Sequence, residues 1–113
     1  MPKTREQVWR EWSELVNLSP AELAQWLETR ESRKVGYKPE GAESVGHAAG
    51  RRIVRIARKR RDTLEDEDWE HMRKTVGYIN RHLAQGGPAG DRSHSHWRYS
   101  LMNWGHDPLK GGM

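Results

Sequence analysis

The segment RRIVRIARKRR, residues 51–61, constrains the fold of this chain more than any other. It holds seven Arg/Lys and no acid, yet four of its residues are apolar: Ile53, Val54, Ile56 and Ala57. A plain charged tail has no use for them. At 100° per residue, Ile53 and Ile56 fall on one side of a helix while Arg51, Arg55 and Arg58 point almost opposite. The spacing therefore predicts an amphipathic helix over about residues 43–61. Val45, Ala49, Ile53, Ile56 and the stem of Arg60 form its buried stripe, with Arg52 and Lys59 on one flank.

The same period recurs along the chain. Thr4 is an N-cap whose partner Gln7 closes a capping box, and Val8, Trp9, Trp12, Leu15 and Val16 follow at helical spacing. Ser19 caps a second helix, with Pro20 at N1, Glu22 completing the box, and Leu23, Trp26 and Leu27 as its apolar side. The stretch 31–43, with Gly36, Pro39 and Gly41, reads as a loop. A further helix starts near Glu65, with acids 66–68 at the positive end of its dipole and Leu64 and Trp69 spaced as a hydrophobic staple. Trp69, Met72, Val76, Ile79 and Leu83 form its stripe, and it ends before Gly86. Gly46 and Gly50, one turn apart, suggest close approach of another backbone, and Gly77 on the later helix is the expected partner.

Core material is thin. Leu, Ile and Val together number 17 and Phe is absent, but there are six Trp. Each buried Trp removes on the order of 150–250 Å² from water, so a few replace many aliphatics. The expectation is an all-α fold: a compact bundle of four main helices plus a short C-terminal helix or hook, forming a single domain over residues 1–113. Residues 86–96 lack packing groups and are expected to be a mobile loop. Trp97, Tyr99, Leu101, Met102 and Trp104 are too apolar for a free tail, so 97–110 should dock on the bundle.

Several classes fall away. Without cysteine there is no disulfide framework and no thiolate zinc site. No apolar run approaches the ~20 residues of a membrane span, and MPKTREQVW lacks a signal peptide's hydrophobic stretch. These features point to a soluble cytoplasmic protein with no membrane partner. His71 and His82 are eleven residues apart on one helix, about 16 Å, too far to share a metal, and no Cys joins His94 and His96. No metal site, cofactor or catalytic motif is expected, and an enzyme is not the favoured reading.

Charge is the positive signal. The net charge is +4, and residues 51–61 alone contribute +7. Arg51, Arg52, Arg55, Arg58, Lys59 and Arg61 are the candidate phosphate-contacting residues, because guanidinium forks suit phosphate oxygens. The competing explanation is local compensation by the six acids of residues 62–70, together with helix dipoles. That accounts for Lys59, Arg60 and Arg61 but not for Arg51 and Arg55, two or three turns earlier. Tyr78, among His71, Lys74, Arg81 and His82, either stacks on a partner or lies under the returning C-terminal aromatics. The second is preferred.

The motifs LSPAELAQWLETRESRKVG, ESVGHAAGRRIV, HMRKTVGYINRHLAQ and WRYSLMNWGHDPLK resemble a family of small, largely actinobacterial proteins of unknown function, some of which carry a DNA-binding label. The resemblance covers Leu18 to Lys110 and implies little chemistry and no active site. Relative to that family, Arg55, Arg58, Lys59, Arg60 and Arg61 are a departure toward stronger DNA affinity. Together these readings predict a non-enzymatic, mostly sequence-nonspecific double-stranded DNA-binding protein, nucleoid-associated in that case. The alternative is a protein–protein interaction module, in which the Arg face meets an acidic partner and exposed aromatics provide anchors. The oligomeric state does not follow from the sequence.

Overall fold

The computed structural model describes residues 3–36, 38 and 42–110. Among these the chain forms six α-helices: α1 Arg5–Leu15, α2 Pro20–Leu27, α3 Arg30–Lys34, α4 Val45–Ala57, α5 Asp66–Gln85 and α6 His96–Asn103. A 3-10 turn at Arg61–Thr63 joins α4 to α5. The all-α bundle is as the spacing predicts. Thr4 and Ser19 cap α1 and α2 with reciprocal boxes to Gln7 and Glu22, so orphan amide donors at both helix starts are satisfied by side chains.

α1 lies along α5 and α2 along α4, while α6 touches α2, α3, α4 and α5. The core is the meeting of these apolar stripes: Val8 and Trp12, Leu23 and Leu27, Ile53 and Ile56, Trp69, Met72, Val76 and Ile79, closed by Leu101 and Trp104. The C-terminal segment is thus part of the core. Trp104 is only 3% exposed, and Gly105, at φ +85°, ends α6 where a Cβ would stand 3.0 Å from Val16. That conformation and that space both require glycine.

The hook is fastened by polar groups as well. Asn103 is buried; its Oδ1 accepts from Trp26 Nε1 at 2.8 Å and from Ser32 Oγ at 2.5 Å, and its Nδ2 donates to the Ser32 carbonyl. Arg98 forks onto Asp107 at 3.0 and 2.9 Å. Asp107 and Asn17 exchange two further bonds.

Three expectations need correction. The stretch 31–43 is not all loop, because Thr29 caps α3 and its hydroxyl accepts from Ser32 N; Pro39 and Gly41 lie outside the described residues. α4 is shorter than the expected 43–61, starting after the Ser44 cap and ending at Ala57. Its stripe is correspondingly shorter, since Val45 is 42% exposed and the Arg60 side chain stands in solvent. The glycine contact is real but its partner is different. A Cβ on Gly50 would stand 2.4 Å from the Asn103 carbonyl and 2.7 Å from Leu27, and one on Gly46 would meet Trp104, whereas Gly77 faces only Arg81. The glycines admit α6, not α5. Residues 86–95 are irregular, as expected, with local hydrogen bonds from Arg92 Nε to the Pro88 carbonyl and from Ser95 Oγ to the Arg92 carbonyl, and His96 opens α6.

Candidate nucleic-acid interface

The six predicted cations do not form one uniform face. Arg51 is exposed, but its Nε and a terminal nitrogen donate to the two oxygens of Glu43 at 2.9 and 2.6 Å. Glu43 also contacts His47 Nδ1, while His47 Nε2 meets the Leu27 carbonyl at 2.7 Å. The Arg51 hydrogen bonds hold the Glu43 carboxyl down at about 2. Lys59 donates to Asp68 at 2.7 Å; burial works to raise the Asp68 pKa, but Lys59 and the Glu65 N–H outweigh it and leave it lowered. Arg61 donates to Glu6 at 2.6 Å and its guanidinium lies 4.8 Å from the centre of the Trp9 ring. The Arg61 hydrogen bond lowers the Glu6 pKa. Arg52 stands 4.0 Å from Glu67, a loose pair.

Two residues remain. Arg55 and Arg58 are exposed, and among the described residues neither has an acid within 4.0 Å. The distinction matters for a polyanion. Exposed ion pairs are worth only ~0–1 kcal/mol, so they can open, but a paired cation presents almost no field at a distance. Arg55 and Arg58 have no such ion-pair compensation. Dipole compensation left Arg51 and Arg55 unexplained in the sequence; for Arg51 the explanation is Glu43, two turns upstream.

The structure adds residues that belong beside this face. α4 and α5 border an open cleft of about 370 Å³ lined by Arg52, Glu67, Glu70, His71 and Lys74. Burial first, then the positive charges of Arg52, Lys74 and Arg55, push the His71 imidazole down to about 4, with Asp68 opposing weakly. Arg52, Arg55 and Lys74 therefore surround a neutral histidine. Lys74 and His71 were legible as an outward cationic set on their own helix. Their approach to Arg52 was not, because it depends on how two helices separated by an irregular link are placed.

The aromatics near this face are covered. Tyr78 stacks on Trp104, with ring centres 4.4 Å apart, and on His82 at 5.2 Å; His71 stacks on the other side of this set, 6.1 Å from Trp104. The returning C-terminal segment occupies the face, as preferred from the sequence. His47 has the buried hydrogen-bonding role expected of it, and no group of three or more His, Cys, Asp or Glu among the described residues is placed to hold a metal. No helix among them is long and apolar enough to cross a membrane.

The profile of a family described as protein of unknown function (DUF3140) matches residues 11–102, and the chain belongs to that family. No curated protein and no solved structure matches it.

Proposed function

We propose that this member of the DUF3140 family is a non-enzymatic protein that binds double-stranded DNA through its phosphate backbone, with little sequence preference. The observation that carries the reading is the pair Arg55 and Arg58, left exposed and without an acid partner in a basic segment, residues 51–61, whose other cations each have one within 4.0 Å. Arg52 and Lys74 flank them at the α4–α5 cleft. The exposed side chains toward the end of α4 are arginines, whose guanidinium forks suit phosphate oxygens, and contacts to phosphate carry no sequence information. The footprint is smaller than the sequence suggested: Arg51, Lys59 and Arg61 join only if they leave Glu43, Asp68 and Glu6. A nucleoid setting follows from the reading.

The alternative is a protein–protein module. It would use the cleft of about 330 Å³ floored by Trp9 and Trp12 and edged by Lys59 and Lys110. Its expected anchors are reduced, because among the described residues the exposed large hydrophobics are Val45 and Leu109. Titrating the protein with random duplex at two salt concentrations separates the two. The DNA reading expects binding at low salt to unrelated sequences, with affinity falling as log[salt] rises by about 0.9 per phosphate contact. Absence of binding at low salt would overturn it in favour of the protein partner.

A further inference from the structure

The α4–α5 cleft contains a chemical arrangement that the backbone-binding reading does not use. His71 sits in its floor, half-buried under Trp104. The Thr75 hydroxyl donates to the His71 carbonyl at 2.8 Å, which leaves only its lone pairs to face Nδ1, 3.5 Å away. That favours the tautomer with hydrogen on Nδ1 and a lone pair on Nε2, which has no partner among the described residues. Around the imidazole stand Arg52 and Arg55 from α4 and Glu67, Asp68, Glu70 and Lys74 from α5; Trp104, beyond α6, brings no charge.

We infer that this cleft seats one phosphate group, held by Arg52 and Lys74, and that His71 takes up a proton from solvent as the phosphate arrives and donates it in a hydrogen bond from Nε2. In the free protein burial first, and then the surrounding cations, keep the imidazole neutral. A phosphate dianion or diester between Arg52 and Lys74 reverses the sign of the local field, so the same position then favours the imidazolium. Glu67 and Glu70 oppose the seated anion and tune its affinity downward. The inference rests on the DNA reading for the source of the phosphate, but the chemistry is shared with a free phosphate or pyrophosphate.

The test measures affinity for random duplex at pH 8 and pH 5.5 at constant salt, for the parent, His71→Gln and Lys74→Gln. If the imidazole returns in the complex to its ordinary value near 6.5, the parent binds roughly tenfold tighter at the lower pH. His71→Gln should lose that gain, and Lys74→Gln, on the exposed rim and outside the core, should lose much of it with the fold intact. Glu67→Gln with Glu70→Gln should bind more tightly than the parent at both pH values. A parent that binds DNA equally at both, or a His71→Gln protein that keeps the full gain, overturns the seat while leaving DNA binding standing. Should no duplex bind at all, the His71 imidazole resonances are followed by NMR during addition of inorganic pyrophosphate. Movement toward the protonated form sustains the seat for a free anion, and no movement overturns it.

Discussion

The C-terminal hook and the outward face of α4 are both built around arginine, and they use it in opposite ways. In the hook, Arg98 is mostly buried, forks onto Asp107 and donates again to the Ser93 carbonyl at 2.8 Å. Asp107 is in turn tied to Asn17. Arg98 cannot leave without stranding a buried carboxylate. On α4, Arg55 and Arg58 hold nothing and are held by nothing among the described residues. Arginine density alone does not distinguish a fastening from a binding surface. The distinction lies in which acids come within reach, and those acids sit 8 to 55 residues away for Arg51, Lys59, Arg98 and Arg61.

If the hook is a fastening, removing it should have the largest effect. Truncation after Gln85 deletes Leu101 and Trp104 from the core cluster they share with Leu27 and Ile53. Losses of about 2–5 kcal/mol for each large buried side chain approach the ~5–15 kcal/mol that holds a domain together. We expect no cooperative thermal transition by circular dichroism; a melt like the parent's would show that the hook is not part of the core. A single substitution sharpens the point. Asn103→Leu leaves Trp26 Nε1 and Ser32 Oγ without an acceptor in a buried site, at about 2–4 kcal/mol. A fall in the urea midpoint with unchanged slope is the expected signature.

Much of this architecture was legible. The caps Thr4 and Ser19, the stripe of α5 from Trp69 to Ile79, and the docking of the C-terminal aromatics follow from local chemistry or from apolar density, which a sequence displays directly. The partner of Gly50 was not legible. Close approach is implied by the glycine, but helix placement decides whether α5 or α6 arrives, and the α6 carbonyl at Asn103 leaves no trace in the sequence. α3 was hidden because five residues of mostly charged sequence carry no apolar period; its one signal was Thr29, three residues before Ser32. For the candidate site, helical phase placed Arg55 and Arg58 outward correctly. It could not show that Glu43 and Glu6 would neutralise Arg51 and Arg61, since those pairs depend on chain folding rather than on phase.

A smaller effect separates the two regions by pH. His71, packed against Trp104 of the hook, has a folded pKa of about 4. Below its ordinary value near 6.5 the unfolded chain takes up a proton that the folded chain refuses, so stability falls as pH drops from about 6.5 toward 4 and is unaffected above. His82, also lowered by burial, acts in the same direction. The urea midpoint of the parent should therefore be lower at pH 5 than at pH 7.5, and His71→Gln should show a smaller drop. An equal drop in both would place the acid sensitivity elsewhere.

The central claim is that pairing decides which cations of α4 meet phosphate, and the salt dependence of duplex binding tests it most directly. Three proteins suffice: the parent, Arg55→Gln with Arg58→Gln, and Arg51→Gln with Glu43→Gln, the last removing an ion pair at constant net charge. Two lost phosphate contacts should flatten the slope of log affinity against log[salt] by about 1.8 in the second protein, by similar amounts on every sequence, and leave the third with the parent's slope. A second protein that keeps the parent's slope, or a third that loses as much as the second, would contradict the account.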